Sequence, residues 1–153
     1  APPYAPREIP ARVLVEDVIR RAKDEMRAAG RDVTIESPAE LPETITCDGK
    51  YLARALVNVV RNAVLHARAR VALTVEREGG RTVVHVDDDG PGIAPEDRER
   101  LFAPFTRAEP GRERETGGVG LGLAIVRSVA EWHGGSAFIG PSPLGGARVS
   151  ISW

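Results

Sequence analysis

The chain has 153 residues, of which 42% are apolar, 28% charged and 5% aromatic, and its net charge is −1. That length suits one domain with a sizeable core. The balanced charge lacks the basic excess of a nucleic-acid binder, and no apolar run approaches the roughly 18 residues a membrane span requires. The one cysteine, Cys47, excludes an internal disulfide and fits a reducing cytoplasm, where it reads as a small strand residue.

The opening Ala-Pro-Pro, without Met or a signal peptide, reads as part of something longer. Residues 1–11 hold Pro2, Pro3, Pro6 and Pro10, which predict an extended linker rather than a helix. From Arg12 a helical pattern begins. Leu14, Val18, Ala22 and Met26 form a stripe with Val15, Ile19 and Ala29 beside it, Glu16 and Asp17 fall in the first turn, and Gly30 stops the helix. Short strands are predicted at 33–36 and 44–47, separated by a loop, and Asp48 stands at a helix N-cap position.

The helix predicted from Gly49 to Ala67 has an apolar face of Leu52, Leu56, Val59 or Val60, and Ala63. It also carries Asn58 and Asn62 at i, i+4, with Arg54 before and His66 after on the same face. Asparagine is a poor helix former, so two on one face want a reason. Either both amides are solvated or tied to backbone, or they form a polar strip for a hydrated cation such as Mg²⁺.

A hairpin follows, with strands around 71–76 and 82–86 across Gly79-Gly80; His85 reads as an ordinary strand residue. The second strand runs into Asp87-Asp88-Asp89-Gly90-Pro91-Gly92-Ile93. An EF-hand loop is excluded, because an Asp at 85 and a spaced Glu are missing. An acidic turn remains open, as does a carboxylate that accepts from the exocyclic amine of a base, a preference for adenine over guanine. A short charged helix over 94–100 precedes Phe102 and Phe105, and the polar stretch 108–116 reads as a loop. Gly117-Gly118-Val119-Gly120-Leu121-Gly122 then opens an apolar helix striped by Leu121, Ile125, Val129 and Trp132. Bare amides at such a helix start suit a phosphate, although glycine pairs also make plain turns. His133 reads as a cap at its end, before strands at 136–140 and 147–153.

Four stretches stand in order: Asn58 to Ala63, Asp87 to Ile93, Phe102 to Arg107, and Gly117 to Ile125. Together they resemble the asparagine, first-glycine, phenylalanine and second-glycine boxes of the catalytic, ATP-binding domain of bacterial sensor histidine kinases. Gly145-Gly146-Ala147 looks like that domain's closing glycine pair. The resemblance spans residues 12–153, with 1–11 as a linker remnant from a dimerisation domain. It implies an α/β two-layer sandwich, a mixed β-sheet with about three helices on one face.

The resemblance also implies the site. Asn62 would ligate Mg²⁺ and Asn58 would support metal and phosphates. Asp89 would accept from the adenine amine, with Gly92 and Ile93 lining the ring. Phe102 and Phe105 would seat a lid, Arg107 would approach the terminal phosphate, and Gly118, Gly120, Leu121 and Gly122 would hold the phosphates. The family often has Lys or Arg where this chain has Leu65, so one contact would be lost or supplied by Arg68 or His66. None of the three histidines is followed by an acidic residue, so the phosphoacceptor is expected on a separate dimerisation domain, with a response regulator downstream. The implied chain is a monomeric cytoplasmic piece of a protein anchored in the inner membrane. The competing functions are an ATP-hydrolysing relative of the gyrase, mismatch-repair or heat-shock chaperone type, and a binding-only or anti-sigma-type module. Hydrolysing relatives carry a glutamate base where this chain has Asn58, and an amide is no base.

Overall fold

The computed structural model describes residues 4–104 and 122–153. Its elements in chain order are β1 (Arg7–Pro10), α1 (Ala11–Ala28), β2 (Thr34–Glu36), β3 (Thr44–Cys47), α2 (Gly49–His66), β4 (Arg70–Glu78) and β5 (Arg81–Asp88). There follow α3 (Pro95–Arg98), a 3₁₀ turn (Arg100–Phe102), α4 (Gly122–Trp132), β6 (Ser136–Pro141) and β7 (Ala147–Ser152). Five strands form a mixed sheet in the order β2-β4-β5-β7-β6, parallel only between β2 and β4. Helices α1, α2 and α4 cover one of its faces, the two-layer sandwich that the sequence implies.

Helix α2 lies between α1 and α4 and over β4 and β5. A helix so enclosed must be apolar over most of its circumference. Leu52, Ala53, Ala55, Leu56, Val57, Val59, Val60, Ala63 and Val64 are all buried. The sheet meets it with the inward set of each strand, Val71, Leu73 and Val75 on β4, Val84 and Val86 on β5, Val149 and Ile151 on β7. The outward set is mixed, with polar residues pairing across strands beside Val83 and Phe138. Arg148 Nε and Nη2 grip Asp87 at 2.8 and 2.9 Å, and His85 Nδ1 meets Ser150 Oγ at 2.6 Å.

Three sequence expectations change. The proline-rich lead-in is extended, and Arg7–Pro10 is a strand pairing antiparallel with Thr44–Cys47 in a separate two-stranded sheet. Pro10 serves as the N-cap residue of α1, so the helix starts at Ala11 and its first turn holds no acidic residue; Asp17 instead pairs with Arg20 and Arg21 a turn later. On α4 the buried set is Leu123, Val126, Val129 and Ala130, while Trp132 is 36% exposed. That stripe is rotated from the expected one because α4 is apolar on several sides, so its neighbours α2 and β6 decide which side is covered.

The ends of α2 are held by side chains. The Asp48 side chain accepts from the Tyr51 amide, the N-cap that the sequence predicts. His133 fastens the same junction to α4. Its Nδ1 lies 2.8 Å from Val129 O and its Nε2 accepts from Asp48 N at 3.0 Å. Around this end gather both tyrosines and both tryptophans of the chain. Tyr4 and Trp153 meet His133 edge-on at 4.8 and 6.1 Å, and Tyr51 meets Trp132 at 5.5 Å.

Gly135 shows how tightly the sheet edge is built. A Cβ there would lie 1.6 Å from Ser152 O, a backbone atom that cannot step aside. Gly135→Ala is therefore expected to cost about 3 kcal/mol or more, beyond ordinary overpacking. Gly30→Ala, whose Cβ would meet nothing and strains only φ, is expected to cost about 1 kcal/mol. Urea unfolding of the two variants measures the difference.

Candidate nucleotide site

Asn58, Asn62 and His66 succeed one another by one turn along α2. Two residue steps of four place His66 roughly 12 Å along the axis from Asn58. At the Asn58 end stands the start of α4: a Cβ added to Gly122 would lie 3.9 Å from Asn58 Cβ. At the His66 end stands the turn after β5: a Cβ on Gly90 would fall 2.2 Å from His66 O. The polar stripe thus runs from a helix N-terminus, which favours anions, to the acidic turn.

The three consecutive aspartates at that turn face three ways. Asp87 points to the outer sheet face and is spent on Arg148. Asp88 continues the inward alternation of Val84 and Val86 and is 3% exposed. Its Oδ1 accepts from Gly90 N at 2.9 Å and Ala147 N at 3.2 Å, while Oδ2 takes no protein donor among the described residues. Gly146 closes over it, since a Cβ there would stand 2.1 Å from Asp88 Oδ1. Asp89 lies beyond the strand and turns back to the loop after α2. Its Oδ1 accepts from Arg68 N at 2.8 Å, and both oxygens lie 3.1 Å from Ala69 N. Desolvation works against ionisation of Asp89, but the amides of Ala69, Arg70 and Arg68 outweigh it and hold its carboxyl below the usual range.

That loop is gripped from the other side as well. Arg31 Nη2 donates to Val64 O at 2.6 Å and Ala67 O at 2.9 Å, covering the last carbonyls of α2. Arg68, one candidate to replace the missing cation at Leu65, is exposed and enters the turn only through its backbone amide.

Asn58 is buried and its Oδ1 accepts from Arg61 Nη2 at 2.6 Å. Asn62 is half-buried, and its side chain has no hydrogen-bond partner among the described residues. Gly92 has φ +80°, a Cβ added there would lie 3.6 Å from Gly146 O, and Ile93 packs against the core beside the turn. Phe102 is buried beneath the Arg127 guanidinium, 4.2 Å from the ring centroid. Phe105, Arg107, Gly118, Gly120 and Leu121 lie outside the described residues. Of the two neighbouring carboxylates, Asp88 lies inward and Asp89 lies beyond the strand. The period-two alternation through Val84 and Val86 is the sequence signal for that inward placement.

Residues 47–153 match the family model of histidine kinase-, DNA gyrase B- and HSP90-like ATPases. The chain belongs to this ATPase family. Sensor histidine kinase CpxA of Escherichia coli K12 is 41% identical over 145 residues, 94% of this chain and 31% of that protein. Sensor protein RstB of the same strain is 48% identical over 106 residues, 69% of this chain and 24% of that protein. The chain thus spans less than a third of the length of these two relatives. The crystal structure of full-length ShkA in complex with AMPPNP superposes with a TM-score of 0.75 at 31% identity, covering 97% of this chain and 30% of that one. Within the ATPase family, then, the chain is an ATP-binding catalytic domain of the sensor histidine kinase type. No helix among the described residues is long and apolar enough to cross a membrane.

The depressed carboxyl of Asp89 carries a pH signature. A folded-state pKa below the unfolded one contributes stability that is complete above the ordinary carboxylate range and is lost as pH falls through the folded value. Asp89→Asn should therefore flatten the loss of stability below about pH 4 that the wild type shows. Thermal melts from pH 3 to pH 7 compare the two.

Proposed function

We propose that this domain binds Mg·ATP along the α2 stripe and transfers the γ-phosphoryl to a histidine on a dimerisation domain outside the chain. From there the phosphoryl passes to an aspartate of a response regulator. The observation that carries this reading is the continuity of one polar helix stripe from the N-terminus of α4 to the turn holding Asp88. An adenine at the turn and phosphates at the α4 end match that polarity.

Asp88, rather than Asp89, is assigned the acceptor role toward the adenine amine. Asp89 has both oxygens turned to the backbone amides of the α2 loop, whereas Asp88 keeps one oxygen without a protein donor among the described residues. Gly92 and Ile93 flank the ring and His66 stands beside it. Asn58 and Gly122 face the phosphates, and by resemblance so do Gly118, Gly120, Leu121 and Arg107.

The donor set fits magnesium of a particular kind. No group of three or more His, Cys, Asp or Glu side chains among the described residues could hold a metal ion. One neutral amide oxygen, from Asn62, suits an ion that keeps most of its waters and is otherwise held by phosphate oxygens. Such an ion supplies charge neutralisation at the phosphates. The chain's own part is to position: the P–O bond to the β-phosphate breaks, an N–P bond forms on the acceptor imidazole, and ADP leaves. Hydrolysis as the main activity is disfavoured, since Asn58 cannot take a proton from water. The parent protein is proposed to be a sensor anchored in the bacterial inner membrane, with this domain on the cytoplasmic side.

Asp88→Asn tests the purine end. Its Oδ1 can still accept from Gly90 and Ala147, but the second atom becomes a donor facing a donor. Calorimetric titration with Mg·AMPPNP should show affinity reduced by about tenfold to a hundredfold in a folded protein. Asp89→Asn, whose Oδ1 can still accept from the Arg68 and Ala69 amides, should lose far less. Retained affinity in Asp88→Asn would sink the assignment. Transfer of radiolabel from ATP to an added histidine-bearing domain tests the reaction itself, and steady ATP hydrolysis by the domain alone would favour the hydrolase reading.

A further inference from the structure

Arg61 belongs to none of the roles described so far, yet it touches the phosphate end of the stripe. It sits on α2 between Asn58 and Asn62, on the side facing α1. Its Nη2 donates to Asn58 Oδ1 at 2.6 Å and its Nη1 lies 3.7 Å from Glu25 Oε2 on α1. The same Nη2 would be 3.8 Å from a Cβ on Gly122, so the guanidinium stands at the very start of α4.

We propose that Arg61 is a positioning residue that fixes the orientation of the Asn58 amide, making Asn58 a hydrogen-bond donor to phosphate and leaving the metal to Asn62. The inference rests on the reading of the pocket as a Mg·ATP site. A guanidinium carries only donors, so the Asn58 atom facing it must be the oxygen. The amide is planar, and its NH₂ is therefore turned away from Arg61, with no protein acceptor among the described residues. Two N–H groups with no oxygen on their side offer nothing to a cation and suit a phosphate oxygen. A neutral partner at 61 would allow the amide to flip and present its oxygen to the anion instead. The ion pair with Glu25 is half-exposed at both ends and steadies the guanidinium without adding much stability.

The test compares Arg61→Met, Arg61→Lys and wild type by calorimetric titration with Mg·AMPPNP and, separately, with adenosine. Arg61→Met should weaken Mg·AMPPNP about tenfold, the loss of one oriented hydrogen bond to a charged group, and leave adenosine affinity and melting temperature near wild type. Arg61→Lys, which still presents only donors to Asn58, should recover most of the loss. In an Asn58→Ala background Arg61→Met should change nothing further, because its effect runs through the amide. Unchanged Mg·AMPPNP affinity in Arg61→Met, equal losses for both ligands, or a full second loss on top of Asn58→Ala would each overturn the proposal. If the wild type itself ignores Mg·AMPPNP, the reading of the site falls and this inference falls with it. Wild-type binding with an indifferent Arg61→Met removes this inference alone.

Discussion

The structure depends on how the C-terminal end of α2 is held. The last carbonyls of a helix and the amides just past it are the backbone groups that burial would leave unpaired. Here Arg31 reaches the carbonyls of Val64 and Ala67 from the α1 side, and Asp89 takes the amides of Arg68 and Ala69 from the β5 side. The helix therefore ends at a fixed place, and its polar stripe meets the Gly90 turn in one register. A loose end would let His66 and Asn62 move relative to Asp88, and the helix stripe and the turn would lose their spacing.

The run of three aspartates illustrates how backbone direction distributes identical side chains. Asp87 and Asp88 alternate across the sheet, one toward Arg148 on the outer face and one inward under Gly146. Asp89 is past the last strand residue and follows the turn back toward α2. The first carboxylate stitches β5 to β7, the last one ties a loop, and the middle one leaves an oxygen without a protein donor among the described residues. The glycines around them are needed for approach as much as for turning. Side chains at Gly90 or Gly146 would collide with the His66 carbonyl or with Asp88.

Most of the elements were legible in the chain. Strand Thr44–Cys47, the Asp48 cap, helix α2 and the hairpin of β4 and β5 follow from periodicity and turn residues, and the observed bounds agree to within about two residues. What was not legible has a common cause. Nothing in a proline-rich tract announces that Arg7–Pro10 will find Thr44–Cys47 as a partner. The buried side of α4 could not be read because that helix offers apolar residues on more than one side, and only packing against α2 and β6 selects among them. The order of the boxes is legible in the chain, while the different directions of the three adjacent aspartates show only in the folded backbone. Arg61 was invisible for the same reason, because an arginine on a helix reads as solvated until its neighbour is seen.

The aromatic residues have an optical consequence. With Tyr4, Tyr51, Trp132 and Trp153 all around Asp48 and His133, the domain's ultraviolet emission originates at one pole of α2. The Asp88 turn lies at the opposite pole and holds no such fluorophore. Native fluorescence thus reports first on the pole where Tyr4 of the proline-rich lead-in meets His133 against the body.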